Sequence, residues 1–210
     1  FQNAIRNCKV DFYADFADAN EEIIEKIVSK PDIIDAWLKS KTWRIRPDRD
    51  IFIKYYDVYV NPKYFDQVTG FAIYPGKLGF TKLSDVKRFT RGESQTIKFD
   101  RYGKGDNGLY LGRPKDDWSK RSLPPYSENA EYHMYQTTAD FPTDIEIIDD
   151  EIDAWFDQVG GGHQFLILRK EYTGKSLEEI SNAVENGTKI EKFFYTIKDM
   201  IGMKWIEEIE

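Results

Sequence analysis

Among 210 residues the chain holds a single cysteine, Cys8, and two histidines, His133 and His163. One cysteine excludes an internal disulfide framework. That leans toward a reducing compartment or folding without covalent staples, although a secreted protein can also lack disulfides. Three thiol or imidazole groups are too few for a metal site rich in His and Cys, so no metal ligands are assigned; a carboxylate-bound ion stays open. Long apolar runs are missing too. None approaches the ~18 residues of a membrane span, and mean hydropathy is −0.62. There is no basic excess: 30 Lys+Arg against 37 Asp+Glu leave a net charge of −7, so no global field attracts nucleic acid. The chain starts at Phe1 with no basic stretch leading into an apolar one, so it is expected to be a piece of a longer polypeptide whose targeting signal lies upstream.

What is present suits a core: 40% apolar residues, 15% aromatic. Ile23, Ile24, Ile27 and Val28 repeat at helical spacing, Pro31 interrupts, and Ile33, Ile34, Trp37 and Leu38 repeat it again. This predicts a helical hairpin or a kinked helical pair over 19–40, with Ser29 or Asp32 as N-cap. From residue 51 the segments are short, rich in aromatic and aliphatic residues, and punctuated by Gly, Pro, Asn and Asp. The stretches 51–60, 95–102, 108–112, 131–138 and 163–172 read as strands. Ser176 and Glu179 spell a capping box before Leu177, Ile180 and Val184, and Asn186-Gly187 ends that helix. Residues 192–206 read as strand then helix, which periodicity does not decide. The class is α+β: a helical N-terminal segment over 1–68, then a compact, mostly antiparallel β-rich domain over 69–210 with a late helix.

Candidate motifs each have an ordinary reading beside the functional one. Gly103, Gly105 and Gly108 spell G-x-G-x-x-G, but a dinucleotide fold needs a helix immediately afterwards, and Pro114 sits where it would run. A glycine-rich hairpin turn fits better. Arg113, Lys115, Lys120 and Arg121 share their loop with Asp116 and Asp117. The ordinary reading is a solvated loop, and the functional one is phosphate capture by an Arg fork aimed by the stiff Pro124-Pro125 exit. Gly160-Gly161-Gly162 marks a tight turn or a close approach to backbone. Gln164 after it is ordinarily an exposed polar residue, and Trp155 and Phe156 before it are core or a stacking surface. His133 lies in an alternating stretch, with Tyr132 and Met134 facing one way and His133 and Tyr135 the other. Asp149-Asp150-Glu151 reads as a solvated acidic edge, and Asn186-Gly187-Thr188 fits a glycosylation sequon.

Order and spacing say more than any single motif. FDRYG (99–103), GLYLG (108–112), KRSLPP (120–125), YHMYQ (132–136) and AWFDQVGGGHQ (154–164), taken together, resemble the tuberculosis necrotizing toxin family of NAD glycohydrolases over about residues 70–195. IYPGKLGF (73–80) matches that family more loosely, and the chain departs from it at Asp157 and Val159. The resemblance implies the family's fold. It implies cleavage of the nicotinamide–ribose bond of NAD, and of NADP, with the dinucleotide as substrate and no cofactor. It implies catalytic roles for Arg101, Gln164 and His133, with Tyr132 one register step away. Substrate contacts would come from Arg121, Tyr110, Phe156, Gly161 and Gly162. It also implies a cognate immunity protein, and secretion within a larger toxin that acts in the cytoplasm of a target cell.

The chemistry is compatible with those residues. Nicotinamide leaves oxidised NAD as a neutral molecule, so no general acid is required, and the usual glycosidase carboxylate pair is not obligatory. Gln164 offers both a donor and an acceptor for ribose hydroxyls or the attacking water. The expected pocket brings Arg101, Arg121 and Gln164 together. Two other readings share the residues: an ADP-ribosyltransferase that passes the same group to a macromolecule, and a non-enzymatic module binding through its 13 Tyr and 5 Trp.

Overall fold

A computed structural model describes residues 31–92, 95–103 and 107–209. The chain divides into two compact units. One reaches to Ile73 and includes Pro124–Tyr126; the other holds Tyr74–Leu123 and Ser127–Glu210. The sequence reading set its boundary between residues 68 and 69.

In the first unit, helix α1 (Pro31–Lys39) begins with proline at its first position, where the missing N–H is no loss. Its Ile34, Trp37 and Leu38 are buried. Residues 19–30 of the expected helical pair, Ser29 included, lie outside the described residues. The stretch 51–60, expected as a strand, is helical: α2 (Arg49–Lys54) and α3 (Tyr56–Tyr59). Its β-branched and aromatic content favours a strand, but Phe52, Tyr56 and Tyr59 fall at helical spacing and all three are buried. Packing decides what propensity leaves open. Phe52 meets Trp37 at 4.9 Å between centroids, and Tyr59 meets Phe65 at 4.7 Å. Trp43 donates from Nε1 to the Leu38 carbonyl at 2.7 Å.

The second unit is one seven-stranded antiparallel sheet. Its strands are β1 (Lys87–Thr90), β2 (Lys98–Tyr102), β3 (Leu111–Gly112), β4 (Tyr132–Thr137), β5 (Glu146–Glu151), β6 (His163–Ile167) and β7 (Ile206–Ile209). Their order is β1-β5-β6-β3-β2-β4-β7, and every pair runs antiparallel. The α+β class and antiparallel body anticipated from the sequence are both present. The glycine-rich stretch 103–108 joins antiparallel β2 and β3, as a hairpin connection should; Gly105 lies outside the described residues.

Alternation along each strand buries both faces. One carries Phe99, Leu111, Tyr135, Ile147, Phe165 and Ile167, closed by Ile197 and Met200 of helix α5 (Ile197–Gly202). The other carries Ile148 and Leu166, closed by Leu78, Phe80 and by Leu177 and Ile180 of helix α4 (Leu177–Glu185). Helix α4 is where the sequence set it, but its capping box is not formed. Ser176 makes no side-chain cap bond, and its hydroxyl turns to Glu178 at 2.7 Å. The box forms on α5, where Thr196 and Asp199 cap each other reciprocally, each bond 3.0 Å long. In 192–206 the order is helix and then, after a turn, the start of β7. Among the described residues no helix is long and apolar enough to cross a membrane.

Thr196→Ala removes one side of the formed box and is expected to cost about 1 kcal/mol, while Ser176→Ala, which loses no cap bond, should cost less. Urea denaturation of the two variants checks the order.

Candidate functional site

Register sets up the site. Asp100 pairs with Gly112, Gly112 with Gln164, and Asp100 with Met134 on its other side. Residues directly opposite one another share a face, so Asp100, Gly112 and Gln164 form one row across β2, β3 and β6. The middle of the row has no side chain, and Arg121 fills the space. A Cβ on Gly112 would run into both the Arg121 guanidinium and the Asp100 carboxylate.

Arg121 was expected to grip a phosphate. The structure instead turns it inward: the side chain is 4% exposed and its partner Asp100 is 0% exposed. Nη1 and Nη2 engage the two oxygens of Asp100, with Nη2 to Oδ2 at 2.6 Å. Nε donates to the Asp116 carbonyl at 3.1 Å and Nη2 to the Arg113 carbonyl at 2.8 Å. The guanidinium also lies 5.4 Å from the Tyr102 ring centre. A buried charge needs this much pairing, so the fork serves the 113–121 loop. Tyr132 joins the pair by donating its hydroxyl to Asp100 Oδ2 at 2.7 Å. Burial, then the bond to Asp100 and its charge, push the Tyr132 phenol up to about 12.

The loop after Arg121 is pinned to the 153–164 loop. The Ser122 hydroxyl donates to the Asp153 carbonyl and accepts from the Trp155 N–H at 3.1 Å. The Gln158 amide clasps Leu123 at both its N–H and its carbonyl, at 3.3 and 2.8 Å. Gly162 N–H donates to the Lys120 carbonyl at 3.0 Å. The three glycines serve this docking differently. Gly160 has φ +66 and lies against the backbone of Ile152 and Ala154. Gly162 needs its bare side for the Lys120 backbone, so that face is occupied by the protein rather than open to substrate. Gly161 has φ +77 and open space where a Cβ would point. Phe156, expected as a stacking surface, is 2% exposed and meets Tyr74 edge-on at 5.8 Å.

Gln164 is 7% exposed. Its Nε2 donates to the Leu78 carbonyl at 2.9 Å, with Gly79 at its side. Arg101 lies on β2, next to Asp100. It pairs with His133 across β2 and β4, one position out of phase with Asp100, so alternation starts it on the opposite face. Its guanidinium then runs into the mouth of the β2–β3 hairpin. Nη1 donates to the Tyr110 carbonyl at 3.0 Å and Nε to the Gly103 carbonyl at 3.4 Å, and Gly108 leaves room for it. Burial lowers the Arg101 pKa, opposed by Tyr135 and Tyr74. Tyr110 beside it is 37% exposed; crowding around its hydroxyl, with Tyr74 and Glu191 nearby, raises its pKa.

His133 is drawn elsewhere. It faces away from the Gln164 row, and β4 lies three strand spacings from β6, about 14 Å. Its Nδ1 lies 2.6 Å from Glu208 Oε1. On that strand Met134 stands directly opposite Asp100, and Tyr132, on the same face, reaches Asp100 with its hydroxyl. The acidic edge also differs from expectation: Asp149 is buried, 2.7 Å from His163 Nδ1 and 3.4 Å from Arg113. Among the described residues, no group of three or more His, Cys, Asp or Glu is placed to hold a metal ion.

Residues 94–209, more than half of the chain, match the family model described as tuberculosis necrotizing toxin. The chain belongs to the tuberculosis necrotizing toxin family. Residues 94–209 are thus a toxin domain of that family, and they contain all five motif blocks. Among solved structures the chain is similar to the tuberculosis necrotizing toxin complexed with its immunity factor, at 20% identity and a TM-score of 0.46. The match covers 65% of this chain and 61% of that one. No curated protein matches.

Asp100 and Gly112 escaped the sequence reading as site residues. The signals were a charged residue alternating out of phase with Phe99, and a glycine inside a strand, which often marks a close approach. Asp100→Asn is expected to cost about 3 kcal/mol or more in urea denaturation, because it leaves Arg121 buried without its counter-charge. The paired replacement Asp100→Leu with Arg121→Met should cost less than Asp100→Asn. In alkaline titration followed at the tyrosinate absorbance, Tyr132 should keep its proton to about pH 12 rather than lose it near the ordinary tyrosine value of about 10. The stabilisation from that raised pKa is present below pH 10 and lost as pH rises through 12. Tyr132→Phe should remove that late step.

Proposed function

We propose that this domain hydrolyses NAD, and NADP, at the bond between nicotinamide and ribose. The observation that carries the reading is the docking of two family loops, 120–123 and 153–162, the second leading directly into Gln164 in the row with Gly112 and Asp100. The substrate class is the one that the resemblance of the five motif blocks implies.

In the reaction the C1′–N bond breaks and its electron pair goes to the pyridinium nitrogen, so nicotinamide leaves neutral. A water oxygen bonds to C1′ and its proton passes to solvent, giving ADP-ribose. The transition state is cation-like at the sugar, and its stabilisation falls to groups that orient rather than to groups that transfer protons. Gln164 is the candidate for orienting the ribose hydroxyls or the water. Arg101 brings positive charge to the hairpin mouth beside the partly exposed Tyr110, where a diphosphate would complement it. Arg121 acts through Asp100 by holding the loop, and is a positioning residue. The reading brings with it an immunity protein that occludes the site in the producing cell, and delivery within a larger secreted toxin to the cytoplasm of a target cell.

Purified protein should consume NAD in a fluorimetric assay and release free nicotinamide and ADP-ribose. Gln164→Ala and Arg101→Ala are each expected to lower turnover by roughly a hundredfold or more with the fold retained by circular dichroism. Wild-type turnover in both variants would overturn the site. Label from NAD retained on macromolecules in a lysate would replace hydrolysis by transfer.

A further inference from the structure

The segment that meets Gln164 has an unusual backbone. Lys77, Leu78 and Gly79 are consecutive residues with φ of +55, +56 and +82. Only the third is glycine; the first two adopt a conformation that costs an L-residue with a side chain. Such strain persists when the surroundings over-determine it, and it clusters where geometry serves function.

Here the restraints can be named. The Leu78 side chain is 5% exposed and packs with Phe80, Leu166 and Leu177. The Gly79 carbonyl accepts from the Asp153 N–H at 3.0 Å. At the other end, the Lys77 N–H donates to Glu185 Oε1 at 3.1 Å. The same oxygen accepts from the Ser181 hydroxyl at 3.1 Å, one turn back on α4. Glu185 is an exposed residue at the end of that helix, 108 positions away in sequence from the turn it holds. The product of the strained turn is the Leu78 carbonyl, aimed at Gln164 Nε2 at 2.9 Å.

We propose that Glu185 and the 77–79 turn form a positioning device for Gln164. The carbonyl can only accept, so it selects the flip state of the amide in which Nε2 faces Leu78 and Oε1 is turned away. That fixes an acceptor oxygen for a donor on the substrate side, a ribose hydroxyl or the attacking water. Without the anchor at Lys77 the turn relaxes, the carbonyl moves, and the amide samples both flip states. The inference deepens the NAD hydrolase reading and rests on it for its kinetic arm.

Two measurements on the full chain separate the claims. In the first, NAD turnover is compared for Glu185→Ala and Glu185→Gln. Misorientation without loss of binding predicts that Glu185→Ala lowers kcat on the order of tenfold to a hundredfold with KM within about twofold. Glu185→Gln, which keeps the acceptor oxygen, should recover most of the rate. In the second, the side-chain amide resonances of Gln164 are assigned by their loss in Gln164→Ala. They should be displaced from free glutamine in the wild type and in Glu185→Gln, and collapse toward it in Glu185→Ala. Unchanged kcat in Glu185→Ala, or Gln164 resonances at the free position in the wild type, would overturn the device. A wild type without NAD turnover but with displaced, Glu185-dependent resonances would overturn the hydrolase reading and leave the device standing.

Discussion

A guanidinium closed on a carboxylate, in the gap that Gly112 leaves between two strands, is the contact from which the organisation of the toxin domain follows. Asp100 on β2 has no exposure and Arg121 almost none, so neither charge is tolerable alone in that environment. Each therefore dictates where the other must be. Arg121 lies nine residues beyond the end of β3, and fixing it fixes the 113–121 loop through the Arg113 and Asp116 carbonyls. Any side chain on Gly112 would occupy the same space. Three motif blocks that are separate in sequence are in this way one physical object.

The second loop is built onto the first by the Ser122 hydroxyl and the Gln158 amide, which pair backbone groups across the gap, and by one backbone bond. Ser122, Leu123 and Lys120 offer donors and acceptors that Asp153, Trp155, Gln158 and Gly162 satisfy. Buried backbone polar groups have to be paired, and an irregular loop has no ladder to pair them, so two irregular loops pair each other. The triple glycine is what permits the approach at Gly160 and Gly162. Gly161 alone has open space beside it, and it remains the one of the three whose freedom the protein does not itself use up. The same economy explains why Arg121, read from sequence as a ligand clamp, is spent internally. An Arg fork fits a carboxylate as well as it fits a phosphate, and composition does not say which it will meet.

The parts of the fold that were legible in the sequence are those governed by local rules. The alternation in 131–136 marked β4, and the aromatic and aliphatic content of 163–172 marked β6. The apolar spacing of Leu177, Ile180 and Val184 marked α4, and the family blocks marked the loops that carry Gln164 and Arg121. What was illegible depends on partners distant in sequence. Residues 51–60 have strand-like composition, yet Phe52, Tyr56 and Tyr59 find aromatic neighbours only as a helix. The Ser176 box is correct in spelling but loses its hydroxyl to Glu178, while Thr196 and Asp199, spaced the same way, do close theirs. Asp149 looked like part of a solvated acidic run until Arg113 and His163 came beside it. Asp100 carried no motif role because its partner lies 21 residues on, and nothing in spacing alone distinguishes that pairing from a solvated loop.

The sheet's two-residue period makes one step of register a chemical decision. His133 and Tyr132 are adjacent in sequence, but the strand sends them to opposite faces. His133 meets Arg101 across the ladder and Glu208 on β7, whereas Tyr132 reaches Asp100 and so touches the row containing Gln164. The same parity separates Arg101 from Asp100, but Arg101 stands near the end of β2. There the hairpin opens, and the long side chain leaves its own face to satisfy the carbonyls of Gly103 and Tyr110, which the opened ladder no longer pairs. Arg101 is thereby held by backbone at the rim, while Asp100 and Arg121 are held by charge in the interior. The two motif arginines are thus fixed by different means, one by neutral carbonyl acceptors and the other by a buried counter-charge.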